Sequence, residues 1–216
     1  MNKFDHIAEM KNFHEMTKAD IKAFADCLAV SFDGYPLFRY FMPGKDDAEN
    51  MKFFWKIDLT TILNRMFCVG NSATPDVLGL FAPPGYTDAS FLRYVAAGGV
   101  GLNFKYSPGM VARSLGFQSF AGKIKKKYSG ENCWYLYCLV TRPHLQGKGL
   151  CSRLLRPMLE YFDREKCDCY LETFDDDNIP LYEHYGFKIC ETVRVPKSDL
   201  VLRAMLRKPQ NFNQGE

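Results

Sequence analysis

A short apolar segment, a glycine-rich turn and an amphipathic helix follow one another in the middle of the chain, and this combination constrains the fold most. The segment from Trp134 to Val140 is rich in aromatic and branched residues, which predicts a buried strand. Pro143 ends it, because proline has no N–H group to donate to a neighbouring strand. Behind Gly147 and Gly149, apolar residues share one helical face: Leu150, Leu154, Leu155, Met158, Leu159 and Phe162.

The glycine-rich turn is a candidate anion site. The first N–H groups of a helix have no partner within the helix, and the helix dipole adds positive charge there. Glycine has no Cβ to hold a phosphate away from the backbone. Two familiar phosphate loops are excluded. The Walker loop needs Ser or Thr after Lys148, where this chain has Gly149, and the dinucleotide loop needs a third spaced glycine that this segment lacks. We expect a phosphate or pyrophosphate to bind over Gln146, Gly147, Lys148, Gly149, Leu150, Cys151 and Ser152.

The spacing of Gln146, Gly149 and Cys151 matches the pattern Gln-x-x-Gly-x-Gly/Ala, with cysteine in the last small position. At this point the sequence resembles the GCN5-related N-acetyltransferase (GNAT) superfamily, whose motif wraps the pyrophosphate of acetyl-CoA. Cys151 departs from the usual Gly or Ala but is still small. The resemblance therefore implies that acetyl-CoA is the co-substrate. The spacing of the histidines and cysteines gives no reason to expect a metal.

A second pattern of the same superfamily lies downstream. It consists of a strand from Tyr170, then Asn178, a short helix that carries Tyr182, and Gly186-Phe187 at the start of the next strand. The segment 193–209 also resembles the branch that includes puromycin N-acetyltransferase. The resemblance covers residues 134–209 well and residues 7–86 loosely.

The resemblance implies an α/β (α+β) GNAT fold. Its mixed, twisted central sheet has about six to seven strands flanked by helices, and two parallel central strands splay apart. Leu139, Val140 and Thr141 are expected along the pantetheine arm of the cofactor, with a backbone N–H near Leu139 or Val140 on the thioester carbonyl. Asn178 and Tyr185 are assigned to the same cofactor site.

Two side chains are predicted to move protons. Tyr182 matches the family tyrosine that protonates the leaving thiolate, and a phenol is a neutral donor near neutral pH. A role in packing alone is the alternative for Tyr182. Glu172 is the candidate base, although orienting the substrate ammonium and a structural role are alternatives. His184 and His144 are weaker candidates, and a chain of water molecules could replace any side-chain base.

Composition limits the classes of protein that remain. The 216 residues suit one domain, 1–216, with a helical or irregular insertion around 87–132. A net charge of +3 is too small to indicate nucleic-acid binding. No apolar run reaches the roughly 20 residues of a membrane span, and residues 1–10 lack a signal-peptide core, so we expect a cytoplasmic protein. The eight cysteines are expected as free thiols, and the four histidines show no zinc spacing to them.

Local patterns predict the remaining elements. Thr17 and Asp20 form a capping box before a helix that buries Phe24 and Leu28. Tyr35, Phe38 and Tyr40 either line the acceptor pocket or pack in the core. We expect strands over 1–12, 65–69, 77–82, 169–173, 187–195 and 200–206, and helices over 45–64, 90–97, 110–115 and 178–185.

The sequence thus predicts an acetyl-CoA-dependent N-acetyltransferase that moves an acetyl group to a primary amine of a small molecule by direct transfer. The expected partners are acetyl-CoA and that amine, without nucleic acid or membrane, and the expected assembly is a monomer or homodimer. Two alternatives stay open: a non-catalytic module that senses acyl-CoA, and an acetyltransferase for protein lysines or N-termini. The segment 87–132 favours a small acceptor, because it is long enough to cover the acceptor site.

Overall fold

Seven strands form one mixed sheet in the part of the chain that the computed structural model describes, which is residues 4–88, 90–106 and 109–210 without the side chains of Phe91 and Asn103. The strands are β1 (His14–Glu15), β2 (Phe67–Gly70), β3 (Val77–Ala82), β4 (Cys133–Thr141), β5 (Asp168–Thr173), β6 (Lys188–Arg194) and β7 (Val201–Arg207). Their order is β1-β2-β3-β4-β5-β7-β6. Only β4 and β5 are parallel among these neighbours. The predicted fold class is confirmed.

Helices cover both faces of the sheet. They are α1 (Ile21–Ser31), α2 (Pro36–Phe41), α3 (Ala48–Ile62), α4 (Phe91–Ala96), α5 (Val100–Lys105), α6 (Met110–Tyr128), α7 (Leu150–Arg164) and α8 (Ile179–His184). Short 3₁₀ turns occur at Ala8–Met10, Lys18–Asp20, Pro143–Leu145 and Asp176–Asn178. Within the described ranges, no helix is long and apolar enough to cross a membrane.

The two faces of the sheet have separate apolar cores. One core joins the sheet to α1, α2, α3 and α6, and large aromatic side chains such as Trp55 and Phe117 fill it. The other core lies under α7, where Leu154 and Phe162 are buried against the sheet together with Phe4. The apolar stripe that the sequence places on α7 is therefore the face that packs on the sheet.

The predicted strand over residues 1–12 is wrong for the described residues 4–12. Ala8–Met10 is a 3₁₀ turn, and the first strand is only His14–Glu15. Phe4, Ile7 and Met10 are all buried, and their spacing of three residues is the period of a 3₁₀ turn, whereas a strand has a period of two. Residues 1–3 of the predicted strand lie outside the described part.

Helix boundaries are where local patterns predict less well. The Thr17–Asp20 capping box is present, and α1 follows it as predicted. Helix α2 is not among the predicted helices, although Pro36 suits its first turn, where a missing N–H costs nothing. Helix α6 continues to Tyr128, far beyond the expected end at 115, so the run of lysines at 125–127 forms its last turn.

Candidate active site

The parallel strands β4 and β5 separate after a short ladder. Only Cys133, Trp134 and Tyr135 pair with β5, the last of them with Tyr170. Beyond that point β5 remains paired with β7 on its other edge, as at Glu172 and Ala204. The edge of β4 beyond Leu136 therefore borders a fork, where β4 has no residue paired with β5 and its backbone can bind another molecule.

A β-bulge reshapes β4 beside this fork. Leu136 pairs with Phe81 and Cys138 pairs with Leu80 on β3, so Tyr137 is an extra residue without a partner there. A bulge interrupts the alternation of side chains along a strand. As a result, the neighbouring residues Tyr137 and Cys138 both line the same pocket.

The predicted phosphate-binding turn has the geometry that the glycines suggested. Gly147 and Gly149 have φ of +72° and +75°, and a Cβ on either residue would project into open space. Gly149 is the N-cap of the 15-residue helix α7, and no side chain caps that end. The side-chain amide of Gln146 donates to the Thr141 carbonyl at 3.4 Å, which ties the turn to the end of β4. The turn can therefore receive an anion at the helix N-terminus.

The other residues predicted for the cofactor lie near this turn or along the fork. Lys148 is exposed, whereas Leu150, Cys151 and Ser152 are half-buried in the first turn of α7. The Ser152 hydroxyl forms a hydrogen bond with that of Tyr185 on the segment after α8. Leu139, Val140 and Thr141 are the last three residues of β4, and the buried Thr141 hydroxyl has no partner among the described residues.

A pocket opens between the sheet and the helices on the face away from α7. It encloses about 1380 Å³ of empty space, including the part that is open to solvent. Tyr135 and Tyr137 contribute from β4, Phe174 from the residue after β5, and Phe38 and Phe117 from α2 and α6. Asn178 and Tyr182 line it near the fork. The pocket is therefore mostly aromatic and meets the fork along β4.

Glu172 lies in this pocket, on β5 just beyond the last residue that pairs with β4. Its carboxylate accepts hydrogen bonds from the hydroxyls of Tyr170, at 2.9 Å, and Tyr135, at 3.3 Å. Burial raises the pKa of Glu172, and the hydrogen bonds and the charge of Lys125 oppose that shift. A carboxyl with a raised pKa accepts a proton more readily, so the site suits a base.

Tyr182 is half-buried on α8, and its ring packs edge-on against Phe187 with the centroids 5.8 Å apart. Its hydroxyl has no hydrogen-bond partner among the described residues. Burial raises the pKa of the phenol, which keeps the group protonated. Asn178, one turn earlier, donates from its amide to the Thr173 hydroxyl at 3.4 Å. The exposed His184 and His144 lie outside the pocket lining.

Tyr35 and Phe38 line the pocket, whereas Tyr40 packs on Phe41 with the ring centroids 5.7 Å apart. Tyr35 also supports β5, since its hydroxyl accepts the Phe174 N–H at 3.0 Å. Tyr35 and Phe38 therefore both line the pocket and pack in the core.

Asp58 is the pocket carboxylate that sequence reasoning missed. It lies on α3, three residues after Trp55 and four after Phe54, and these spacings place the three side chains on one helical face. The Tyr137 hydroxyl donates to it at 3.4 Å. Burial raises the pKa of Asp58 to about 7. An acidic residue on the buried stripe of a helix was the signal in the sequence that could have revealed it.

No cluster of three or more His, Cys, Asp and Glu side chains that could hold a metal ion occurs in residues 4–88, 90–106 and 109–210. All eight cysteines are free thiols. Cys138 borders the pocket, and burial raises its pKa well above the usual value, which makes it a poor nucleophile. The pocket therefore offers carboxylates and phenols as its reactive groups.

Comparison with known proteins gives a consistent result. The model of the acetyltransferase (GNAT) family matches residues 95–187. An uncharacterized N-acetyltransferase of Schizosaccharomyces pombe is 29% identical over 92 residues, which is 42% of this chain and 37% of that protein. The chain thus matches little more than a third of the length of this curated relative.

Solved structures share the fold at low sequence identity. A structure titled histone acetyltransferase HPA2 and related acetyltransferase, from Corynebacterium glutamicum, superposes with a TM-score of 0.60 at 18% identity, covering 94% of this chain and 98% of that one. The polyamine N-acetyltransferase of Drosophila melanogaster gives a TM-score of 0.60 at 13% identity, with coverage of 91% and 98%.

Proposed function

Because the GNAT family model matches residues 95–187 and an N-acetyltransferase is similar over 92 residues, we propose that this chain is a GNAT N-acetyltransferase that moves the acetyl group of acetyl-CoA directly to a primary amine of a small molecule. The observation that carries the proposal is the fork between β4 and β5. It connects the uncapped N-terminus of α7 with the aromatic pocket on the other face of the sheet. An extended thioester arm in the fork reaches both.

The residues at the turn and along β4 fit a CoA molecule. The open space over Gly147 and Gly149 and the uncapped helix N-terminus suit a pyrophosphate, which Gln146–Ser152 would hold. The unpartnered Thr141 hydroxyl and the free edge of Leu139 and Val140 suit the amide groups of pantetheine. Asn178 and Tyr185 would flank this arm. When bound, acetyl-CoA supplies an acetyl group activated as a thioester.

The backbone of β4 polarises the carbonyl in this proposal. Successive residues of an antiparallel strand direct their N–H groups to opposite edges. Leu139 and Val140 face Gly79 and Leu78 on β3, so one of the two N–H groups points into the fork. A fixed donor there stabilises the charge that develops on the carbonyl oxygen during transfer.

Glu172 and Tyr182 handle the protons. The acceptor first loses its ammonium proton to solvent, because only the neutral amine can attack the thioester. As the N–C bond forms and the C–S bond breaks, Glu172 takes one further proton from the nitrogen, directly or through water, and Tyr182 gives its phenolic proton to the departing sulfur. Solvent then exchanges protons with both side chains and restores them. The raised pKa of Glu172 favours the first step, and the raised pKa of Tyr182 keeps the donor loaded beforehand.

The walls of the pocket favour a small acceptor. Helix α6 contributes Phe117 and Gln118, and α4 contributes Tyr94, so the segment between β3 and β4 covers the site. An extended peptide needs an open groove, whereas a small amine fits an enclosed pocket. The Drosophila neighbour, described as catalysing the formation of N-acetylagmatine, supports the same acceptor class.

The test is acetylation of a panel of small primary amines with acetyl-CoA, read by mass spectrometry, with parallel reactions that contain a lysine peptide instead. We expect a gain of one acetyl group on at least one amine and none on the peptide. The Tyr182→Phe variant serves as the matched control, because it removes one oxygen and leaves the ring in place. Acetylation of the peptide alone would contradict the proposal, and so would acetyl-CoA binding without any acetylated amine.

A further inference from the structure

The charges around the pocket are unbalanced. Asp58, Asp88 and Glu172 are the carboxylates in its lining, and Lys125 is the one cation there among the described residues. Lys125 lies over the ring of Tyr135, 4.7 Å from its centroid, and its charge acts on Glu172. A pocket with this excess of negative charge attracts a cationic ligand.

Asp58 is a half-buried carboxylate of the pocket that has no ion pair among the described residues. The described titratable groups that interact electrostatically with Asp58 are phenols, thiols and one carboxylate, and none of them is a cation. They are Tyr94 on α4, Cys68 on β2, Tyr137 and Cys138 on β4, and Tyr86 and Asp88 after β3. One hydrogen bond, from the Tyr137 hydroxyl at 3.4 Å, supports its ionised form. Among the described residues, no Lys, Arg or His forms an ion pair with it. A carboxylate that is shielded from water normally has such a partner, and Asp58 is half-buried in the pocket wall.

Two other acidic residues show how this chain compensates a structural carboxylate. Asp163 is buried and forms a two-armed ion pair with Arg207, with both N–O distances 2.7 Å. Asp26 is paired with Lys52 at 3.0 Å and with Arg142 at 3.1 Å. Asp58 has no equivalent cation although it faces a cavity, so a ligand is the natural source of the missing positive charge.

The rest of the pocket wall selects the body of that ligand. Phe41, Phe117 and Phe174 form a continuous aromatic surface, with ring centroids 5.4 Å and 5.5 Å apart along it. Phe38 and Phe54 extend it, 5.5 Å apart. Flat, apolar walls favour an aromatic ring, which gains both buried area and ring–ring contacts. One polar anchor beside an aromatic surface therefore fits a ring joined to a single ammonium group.

We infer that Asp58 binds the ammonium group of the acceptor and that the acceptor is an arylalkylamine. The inference rests on the proposed function, since it names the amine that the proposed acetyl transfer would use. Tyr137, which holds Asp58, is the bulged residue of β4, so an ammonium on Asp58 lies beside the strand that borders the fork. Asp58 is thus a specificity residue that brings the nitrogen towards the thioester.

The test measures binding without turnover, by calorimetry with the full chain and free CoA. The probes are phenethylamine, the neutral 2-phenylethanol of similar shape, and n-hexylamine, which has no ring. Asp58→Asn should weaken phenethylamine about 10–100-fold, because a charged hydrogen bond is lost, and should leave 2-phenylethanol unchanged. Glu49→Gln, an exposed change on the same helix, is the control that should change neither.

Each contrary result overturns a stated part of the inference. Equal phenethylamine binding by the wild type and Asp58→Asn excludes Asp58 as the anchor. If Asp58→Asn weakens 2-phenylethanol as much as phenethylamine, then Asp58 does not recognise the ammonium charge. If n-hexylamine binds as tightly as phenethylamine, then the pocket does not select an aromatic ring. Because no acetyl transfer is required, Asp58-dependent binding without any acetylated product would refute the proposed function and would leave only the recognition of an arylalkylammonium ligand by Asp58 standing.

Discussion

The Tyr137 hydroxyl donates a hydrogen bond to the carboxylate of Asp58 at 3.4 Å and so joins the bulged residue of β4 to helix α3. Helix α3 reaches the sheet face at the point where β4 begins to border the fork. The contact links the residue proposed to recognise the acceptor with the strand proposed to hold the acetyl donor. Its chemistry leads to predictions for both ligand binding and stability.

The affinity for a cationic amine should depend on pH through Asp58. Burial raises the pKa of this carboxyl to about 7. A primary alkylamine has a pKa of about 10, so it stays protonated over the pH range in which Asp58 titrates. Below pH 7 the ionised fraction falls, so the Kd of phenethylamine should rise about tenfold per pH unit, and above pH 7 it should level off. The phenols and thiols near Asp58 have raised pKa values and do not titrate in this range.

Calorimetry between pH 5.5 and 8.5, a range set by that pKa of about 7, checks this dependence. Asp58→Asn should remove it, which separates Asp58 from Glu172, the other pocket carboxyl with a raised pKa. The same slope in the variant would show that another group is responsible.

Asp58→Asn should stabilise the empty protein at alkaline pH. The pKa is raised in the folded chain from the ordinary 3.8 to about 7, so folding binds this proton more tightly. The tighter binding of this proton stabilises the folded chain fully below pH 3.8, and this stabilisation is lost as the pH rises through 7. Asparagine never ionises and still accepts the Tyr137 hydrogen bond. The variant should therefore gain at most about 4 kcal/mol over the wild type above pH 7.

Urea unfolding at pH 5 and pH 8, on either side of the Asp58 pKa of about 7, measures this difference. The advantage of the variant should be larger at pH 8. A variant that is less stable at both values would show that Asp58 is a compensated structural carboxylate.

Tyr182→Phe should lower kcat for amine acetylation by about 100-fold or more, because it removes a general acid. Acetyl-CoA binding should survive, since the ring contact with Phe187 does not involve the hydroxyl. Steady-state kinetics and calorimetry separate the two effects. Tyr161→Phe is the control that should keep full turnover, because Tyr161 lies on α7 and its hydroxyl contacts His6. Undiminished kcat in Tyr182→Phe would exclude the proposed acid.

Gly149→Ala should weaken acetyl-CoA binding and reduce stability by about 1–2 kcal/mol, because Gly149 has a φ of +75° that alanine adopts only with strain. Gly116→Ala is a control that should change stability in the opposite direction. Gly116 lies inside α6, and an added Cβ meets nothing within 4 Å, so alanine should stabilise the helix by about 0.5–1 kcal/mol. Denaturant unfolding and acetyl-CoA titration measure both. Tight binding by Gly149→Ala would remove the turn from the cofactor site.

Asp163→Asn should destabilise the chain by about 3–5 kcal/mol, because it leaves the buried charge of Arg207 without its partner. Arg207 also donates to the Tyr185 carbonyl at 2.9 Å, and Asp163 accepts the Gln210 N–H at 2.7 Å. Weaker acetyl-CoA binding should accompany the loss, since Tyr185 contacts Ser152 in the first turn of α7. Urea unfolding checks the main effect, and a loss below 1 kcal/mol would contradict it.

The sequence predicted the parts of the fold that local patterns determine. Strand β4, the turn at Gly147 and Gly149 and helix α7 follow from proline, glycine and a periodic apolar stripe within about thirty residues. The capping box at Thr17 succeeded for the same reason. Near the N-terminus, the three-residue spacing of buried side chains was mistaken for a strand, because a run so short does not distinguish the two periods.

The acceptor pocket depends on contacts that no local pattern contains. Tyr137 and Asp58 are 79 positions apart, and they meet only because α3 packs on the sheet face next to the bulge in β4. The bulge itself depends on how β3 pairs with β4, which is a property of two strands together. Tyr182 could be named from a family pattern and Glu172 from its place on the strand expected beside the cofactor, whereas the pocket around Asp58 required the assembled fold.

An isotope-labelled acetyl donor shows directly whether this protein acetylates a small amine. The protein would be incubated with phenethylamine and acetyl-CoA that carries carbon-13 in its acetyl group, and the amine would be analysed by mass spectrometry against a reaction without protein. We expect labelled N-acetylphenethylamine in an amount that grows with protein concentration and falls sharply in Tyr182→Phe. Acetyl-CoA that binds while neither phenethylamine nor any other small primary amine gains the label would contradict it.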